Sequence, residues 1–307
     1  MPAGAKFGRF RVLGAIGQDS TGYLYRARQE EGNRLVALRV LDGDRSKDTR
    51  VVELADRAVR LRHKNVQQCL LLGRQGKSRY FAFEYTPGSS LRRRLERGET
   101  MKPYRSLRVI WRVARALRAA GRKGLAHGDL RPSSIQISAT GTVKVSGIGM
   151  PLEVSGEFER FQAPRGSIPF YAAPEEMKDR NPSDERRTVF TLGAILYHMV
   201  TGQAPLFGDT LKEAMLRYAD HGIEPAERVN PKLPRPVALL LARMLAPYSH
   251  RMEGLDALIQ AIGELAGTRL AERSGTAPEA ATPESTEPGA AQPDGVAEPI
   301  TDSSAAA

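Results

Sequence analysis

The residue best placed for chemistry is Asp129, which lies in a short polar loop over residues 127–132 (HGDLRP). The loop follows an apolar, helix-patterned segment and precedes two short β-like runs, residues 135–138 and 142–145, after which comes Gly147-Ile148-Gly149. A carboxylate can accept a proton or a hydrogen bond from a hydroxyl group. The sequence therefore predicts a carboxylate that is held on a rigid loop beside two strands.

The same loop resembles that of one enzyme family, the Hanks-type (eukaryotic-like) serine/threonine protein kinases. Their loop reads H-R-D-L-K-P-x-x-N and their next strand ends in D-F-G, and His127, Asp129 and Pro132 fall on that pattern. The resemblance implies that Asp129 occupies the position of the catalytic base and that His127 is a packed structural residue. A metal-binding role for His127 is disfavoured because no second His or Cys lies at ligand spacing.

Two positions depart from the family pattern where it binds metal. Ser134 stands where the family has the Asn of the loop, and Gly147 stands where it has the Asp of D-F-G. In the family those two side chains hold Mg²⁺ against the nucleotide phosphates. The resemblance therefore implies a kinase fold without its metal ligands, in which Mg²⁺ is not expected, no cofactor is required and Asp129 is a vestigial base.

The elements that would position a nucleotide begin with residues 9–29, which alternate in the manner of two strands around a turn. In the kinase family this hairpin carries G-x-G-x-x-G, whose backbone N–H groups close over the phosphates. Gly17 and Gly22 match the outer glycines, but Asp19 replaces the middle one. A carboxylate that faces a triphosphate adds like-charge repulsion, so we expect a poor phosphate cradle.

The strand over residues 35–40 (LVALRV) matches the family's V-A-I-K, with Arg39 in place of the lysine that reaches the phosphates. A guanidinium is broader and more directional than an ammonium, so we expect impaired phosphate positioning. The helix over 48–62 should supply the glutamate partner of that lysine, but the family spacing lands on Leu54. Glu53 is adjacent, yet one residue is ~100° of helix rotation. The ion pair is therefore expected to be absent.

The segment over residues 68–86 resembles the connection between the two lobes of a kinase. The resemblance places the backbone of residues 84–86 against the adenine, with Phe83 behind it. Gln136 stands where the family presses a leucine on the adenine, and a polar side chain there loses apolar contact. The residues expected to contact a nucleotide are Gly17, Gly22, Leu24, Ala37, Arg39, Glu84, Thr86 and Gln136.

The remaining segments predict a helical lobe. Helices are expected over 106–123, 186–201, 209–220 and 235–266, where apolar residues recur at helical spacing. Glu175, in a motif that matches the family's A-P-E, and Arg251 match a family ion pair that ties this segment to the C-terminal helices. Such a pair, once buried, is costly to break.

These elements predict an α+β, bilobal protein-kinase-like fold. A chain of 307 residues can bury one large two-lobed domain or two smaller ones. We assign residues 1–267 to the kinase-like domain, with a β-rich N-lobe over about 7–86 and a helical C-lobe over about 87–267. Residues 268–307 are rich in Ala, Pro, Glu, Ser and Thr without periodicity, which predicts a disordered acidic tail.

The charge of the chain is unevenly distributed. Residues 274–307 hold six acidic residues and no Lys or Arg, so residues 1–273 carry 46 basic and 29 acidic side chains. A basic body could attract an acidic partner, anionic lipid or nucleic acid, and a merely solvated arginine-rich surface is the alternative. Nucleic acid is disfavoured because arginine runs such as residues 92–94 lack interleaved aromatic residues. The acidic tail is a candidate mask for this surface.

Cysteine content and apolar stretches in the sequence predict the cellular compartment of the protein. The single Cys69 excludes an intrachain disulfide, and the N-terminus shows no secretory signal pattern. The longest apolar stretch, residues 189–200, is shorter than the ~20 residues that a membrane-spanning helix needs. We therefore expect a cytoplasmic protein with no membrane span.

Taken together, the departures from the family pattern favour a catalytically impaired pseudokinase. Such a protein would act as a signalling scaffold or allosteric regulator through protein partners, and any ATP binding would be weak. Two alternatives stay open. One is an atypical active kinase that transfers phosphate from ATP to Ser or Thr hydroxyls of proteins, and the other is an anion-binding module that uses the basic surface.

Overall fold

The computed structural model describes residues 1–19, 22–41, 49–150, 168–177 and 184–274. Residues 1–268 form one compact unit. Most of the predicted tail, residues 275–307, lies outside the described residues.

The N-terminal part is a six-stranded antiparallel sheet in the order β1-β2-β3-β4-β6-β5. One helix, α1 (Thr49–Arg60), lies in the chain between β4 and β5 and packs against β5. The strands are β1 (Lys6–Phe7), β2 (Phe10–Asp19), β3 (Gly22–Gln29), β4 (Leu35–Leu41), β5 (Cys69–Gln75) and β6 (Ser78–Glu84).

Alternation along β4 separates the two faces of this sheet. Val36 and Leu38 are fully buried in a small core on one face, whereas Ala37 belongs to the main core on the other. Because side chains of a strand alternate between faces, Arg39 shares the face of Ala37. The sheet therefore directs Ala37 and Arg39 toward the same side.

The C-terminal part is mostly helical. Two small antiparallel sheets accompany the helices, one formed by β7-β8-β9 and one by β10-β11. The strands are β7 (Ser89–Ser90), β8 (Ile135–Ile137), β9 (Val143–Val145), β10 (Ile168–Phe170) and β11 (Leu206–Gly208). The helices are α2 (Leu91–Leu95), α3 (Pro103–Gly121), α4 (Glu185–Thr201), α5 (Leu211–His221), α6 (Ala226–Val229), α7 (Arg235–Leu245) and α8 (Leu255–Ser274).

Helix α4 is the centre of this part. Every residue from Val189 to Val200 is buried, and the helix packs against α3, α6 and α7. A helix that is apolar all round must be enclosed on all sides, which explains its position in the core. Helix α4 approaches α7 closely at Gly193, where an added Cβ would lie 2.9 Å from Cβ of Met244 on α7.

The predicted bilobal fold is confirmed: a curled β-sheet with one main helix precedes a helical lobe. The region 235–266 contains two helices, since α7 ends before Pro247 and α8 begins at Leu255. Helix α8 continues to Ser274, past the predicted domain end at residue 267. Within the described ranges, no helix combines the length and apolar composition that crossing a bilayer requires.

The packing of α4 on α7 yields a test of the core. Gly193→Ala is expected to lower the free energy of unfolding by about 1–3 kcal/mol, because the new methyl group overpacks the contact with Met244 and Leu245. Chemical denaturation measures the change.

The matched control is Gly263→Ala on α8, where an added Cβ meets no atom within 4 Å. This variant should gain about 0.5–1 kcal/mol, since alanine loses less backbone entropy than glycine in a helix. If Gly193→Ala gained stability as well, the close approach of α4 and α7 would be refuted.

Candidate functional site

Asp129 lies on the loop that connects α3 to β8, and hydrogen bonds of the His127 ring hold this loop in place. The backbone N–H of Asp129 donates to Nδ1 of His127 at 3.3 Å, and Nε2 of His127 donates to the carbonyl of Ser146 at 2.8 Å. Burial lowers the pKa of His127, although the charge of Asp129 acts in the opposite direction. Both ring nitrogens are thus engaged, and His127 fastens the loop to the end of β9 as a neutral side chain.

The carboxylate of Asp129 is about one-third exposed and forms an ion pair with Arg131 in the same loop. A partly exposed carboxylate beside a guanidinium still has oxygen lone pairs that can accept a further hydrogen bond. Chemically, Asp129 could therefore orient a hydroxyl group that approaches the loop.

Ser134 and Gly147 stand at the two positions where the family has its metal ligands. Ser134 Oγ donates to the carbonyl of Arg131 at 2.7 Å and accepts from the N–H of Arg131 at 3.1 Å, so the hydroxyl turns back into its own loop. Gly147 adopts φ +85° and has no side chain. Within the described residues, no cluster of three or more His, Cys, Asp or Glu side chains is placed to bind a metal ion. Ser134 and Gly147 therefore offer no side-chain oxygen for the Mg²⁺ that the family binds at these two positions.

A cleft lies between the sheet and the loop region. Its empty volume is about 630 Å³, including the part open to solvent. Five residues of the expected nucleotide set line it, and Gly147 lies beside them. The lining is Ile16, Leu24, Ala37, Arg39, Gln67, Phe83, Tyr85, Thr86, Gly88, Gln136, Ser146 and Gly147.

Three members of the expected nucleotide set are placed differently. Gly17 and Gly22 lie on the β2–β3 hairpin, and Gly17 is not among the described residues that line this cleft. Glu84 does not line it either, because its carboxylate forms an ion pair with Lys144 of β9 and accepts from the N–H of Gln68 at 3.0 Å. Only the backbone of Glu84 could therefore serve the cleft, as the resemblance implied.

Residues 10–259 match the protein kinase domain family. The chain belongs to this family. The resemblance drawn from the loop around Asp129 is thereby confirmed.

Three curated relatives that resemble this kinase domain are bacterial serine/threonine-protein kinases. A probable kinase of Clostridium perfringens, CPE1738, is 26% identical over 242 residues, which are 77% of this chain and 35% of the relative. PrkC of Bacillus subtilis is 25% identical over 253 residues, 80% of this chain and 39% of the relative. PknL of Mycobacterium tuberculosis is 28% identical over 264 residues, 83% of this chain and 66% of the relative. The chain thus spans little more than a third of the first two relatives.

In this kinase domain, α1 has the side-chain register that the sequence predicted. Leu54 is half-buried against the main core, whereas Glu53 is exposed. The carbonyl of Leu54 lies 3.7 Å from the position of a Cβ added to Gly149. Position 54 therefore carries an apolar side chain packed on the main core, and the neighbouring carboxylate of Glu53 is exposed.

Glu175 and Arg251 form a buried ion pair in the C-lobe of the kinase domain. The pair is bidentate, with Nη2 of Arg251 lying 3.1 Å from Oε2 of Glu175. Arg251 also donates to the carbonyls of Ala246 at 3.0 Å and Arg186 at 3.2 Å, and its guanidinium lies 4.8 Å from the ring centroid of Phe190. The guanidinium is fully buried and well satisfied, so it fastens the short segment around Glu175 to the core.

Sequence reasoning missed Gln67, which lines the cleft from the segment between α1 and β5, and Lys144, which pairs with Glu84. A polar residue directly after the buried Val66 was the available signal for Gln67. Nothing in the local pattern of β9 indicates a partner for Lys144, since the two ion-pair residues are 60 positions apart.

The buried pair provides a stability test that separates fold from chemistry. Arg251→Ala is expected to cost about 3–5 kcal/mol, because it leaves Glu175 without its cation inside the C-lobe. Asp129→Ala should cost about 0–1 kcal/mol, as expected for a partly exposed ion pair. Thermal and chemical denaturation of both variants measure the difference, and equal losses would contradict the structural role of the pair.

Proposed function

We propose that this kinase domain is a pseudokinase, which keeps the kinase fold and does not transfer phosphate at an appreciable rate. The observation that carries the proposal is the state of the two metal positions. Ser134 uses its hydroxyl within its own loop, and Gly147 has no side chain to offer. Phosphoryl transfer depends on metal ions that neutralise developing charge, so loss of both ligands removes a main source of catalysis.

The remaining residues do not replace that source. Asp129 can orient a hydroxyl group, but proton acceptance does little while the charge of a triphosphate is not neutralised. Arg39 supplies one positive charge to the cleft in place of the family's lysine, with Leu54 at the position of the glutamate. A single electrostatic contribution can change the rate of phosphoryl transfer by about 10³–10⁵-fold. Several losses together, although not additive, support a rate near background.

The apolar side chains of Leu24, Ala37 and Phe83 in the lining of the cleft support weak nucleotide binding. We propose that ATP binds weakly and that Mg²⁺ does not strengthen its binding. The domain then acts through protein partners, as a signalling scaffold or allosteric regulator. Its curated relatives are named as serine/threonine-protein kinases, which supports a role in the same signalling context.

The decisive measurement is transfer of labelled phosphate from ATP with Mg²⁺, either to the chain itself or to a generic protein acceptor. We expect the native protein and Asp129→Ala to be indistinguishable from each other and close to background. Transfer by the native protein that Asp129→Ala abolishes would establish the alternative, an atypical active kinase.

A restored variant serves as the control for this assay. Ser134→Asn combined with Gly147→Asp returns both family ligands, and Asp tolerates a positive φ better than most residues. In thermal-shift titrations, ATP should stabilise this variant more with Mg²⁺ than without. The native protein should show no such difference, and a large metal-dependent shift in it would overturn the proposed loss of the metal site.

A second candidate function, binding of an acidic protein partner, is favoured by the exposed face of α3. Arginines recur there at helical spacing, which places them on one side of the helix. Arg112 donates to the carbonyl of Gly141 at 2.7 Å, and Arg115 lies over the ring of Trp111 at 4.5 Å. Among the described residues, Arg118 is the α3 arginine with a carboxylate partner, Asp256. The arginines of this face are Arg105, Arg108, Arg112, Arg115 and Arg118, and Arg122 follows the last helical residue.

Charge reversal tests this face. Arg105→Glu combined with Arg108→Glu should weaken binding to an acidic peptide such as poly-glutamate at low salt, by about tenfold, and the difference should fade at high salt as screening increases. The matched control reverses Lys232 and Arg235, which are also exposed but lie elsewhere. Equal losses from both double variants would show only an effect of net charge and would exclude a specific α3 surface.

A further inference from the structure

A group of positively charged side chains meets at β9, next to α3. The connection between α1 and β5 pairs with β9, since the N–H of Val145 donates to the carbonyl of Asn65 at 2.8 Å. Helix α3 packs against β9 as well. His63 and Lys64, which directly precede Asn65, are thereby brought beside α3, where the charge of Arg115 acts on the His63 ring.

His63 lies at the centre of this group. Its Nδ1 accepts from the N–H of Asn65 at 3.2 Å, so the proton of the neutral ring lies on Nε2, where it can be donated to a ligand. Burial lowers the pKa of His63, and the charges of Arg115, Lys64 and Lys144 lower it further. The charges that act on the ring from α3, from its own connection and from β9 are therefore all positive.

Arg115 and Lys64 supply the uncompensated charge of the group. The guanidinium of Arg115 lies 4.5 Å from the ring centroid of Trp111, which holds it against the surface of α3. Among the residues that the structure describes, neither Arg115 nor Lys64 has a carboxylate partner. Lys144 differs, because it forms an ion pair with Glu84. An anion bound here would therefore meet two cations that no carboxylate of the described residues neutralises.

From this arrangement we infer that His63, Lys64 and Arg115 form a binding site for a phosphate group, either free or on a phosphorylated side chain of a protein partner. A phosphate ester carries about 1.5–2 negative charges and three strong acceptor oxygens, which suit a guanidinium, an ammonium and an imidazole N–H together. A carboxylate carries a single charge and gains less from the same cations.

This site goes beyond the functions proposed above. It shares Arg115 with the arginine face of α3, but it adds two residues from the connection between α1 and β5, and it names the chemistry of the ligand. It involves no residue that lines the cleft. The state of the metal positions and the binding of poly-glutamate therefore have no part in the inference.

Isothermal titration calorimetry of the full chain at low salt tests the site with three probes. These are a peptide with one phosphoserine, the same peptide without the phosphate, and inorganic phosphate. The phosphopeptide should bind about tenfold or more tightly than the unmodified peptide, because each charge-assisted hydrogen bond contributes strongly. Tighter binding of the phosphopeptide than of inorganic phosphate would identify a phosphorylated protein as the ligand, and equal or weaker binding would identify free phosphate.

Fluorescence of Trp111 locates the bound phosphate. Trp111 is the single tryptophan of the chain and lies against Arg115, so its emission should change as the phosphopeptide binds. Binding without any change in emission would place the phosphate elsewhere and overturn the site.

Two sets of variants test the residues. Arg115→Gln combined with Lys64→Gln should weaken binding of the phosphopeptide by about tenfold or more, and Arg115→Lys, which keeps the charge and loses the planar fork, should give a smaller loss. The matched control is Lys102→Gln combined with Lys123→Gln, which removes the same charge from exposed residues beyond the two ends of α3. It should leave the affinity nearly unchanged.

A melting curve shows whether each variant is folded, and Arg115→Lys keeps the test decisive if the double variant does not fold. Unchanged affinity in the folded site variants, equal losses in the site and control variants, or no preference for the phosphorylated peptide would each overturn the inference. Because no nucleotide is added, phosphate transfer by the native protein would refute the pseudokinase proposal and leave this site standing. Failure of poly-glutamate to bind would likewise refute only the acidic-partner proposal.

Discussion

The structure depends on the burial of α4. From Val189 to Val200 this helix has no exposed residue, so α3, α6 and α7 must enclose it. Helix α3 then leads directly into the loop that carries Asp129, and Arg251 contacts Phe190 of α4 while it binds Glu175. The position of the functional loop and that of the segment around Glu175 are therefore both consequences of packing around one apolar helix.

The groups that maintain the fold are separate from the groups that would perform chemistry. The His127 ring joins the loop to Ser146, and Arg251 satisfies Glu175 together with two carbonyls. Neither contact needs a nucleotide or a metal ion. A kinase fold can thus remain stable when Ser134 and Gly147 occupy the metal positions, because stability comes from buried packing and satisfied polar groups.

The cleft shows how contacts distant in the sequence decide local chemistry. The Glu84 carboxylate forms an ion pair with Lys144 and does not line the cleft, and Nε2 of Gln67 donates to the Glu84 carbonyl. The ion pair keeps one carboxylate out of the cleft, while Arg39 supplies donors and the side-chain amides of Gln67 and Gln136 supply both donors and acceptors. The polar character of the cleft is therefore set by three elements, β6, β9 and the segment before β5.

The sequence by itself determined the family, the bilobal fold, the main helices and strands, and the placement of five expected residues in one cleft. Those features follow from local periodicity and from motifs whose spacing is short, such as the loop around Asp129. It also placed Leu54 inward and Glu53 outward, since one residue of helix rotation decides the face.

The tertiary structure alone decided that the hydroxyl of Ser134 closes on Arg131, that Glu84 pairs with Lys144 and that Gln67 reaches the Glu84 carbonyl. The last two contacts join residues 60 and 17 positions apart, and the first depends on a rotamer. Neither long-range pairing nor rotamer choice is encoded in a local pattern, because both depend on which elements pack side by side.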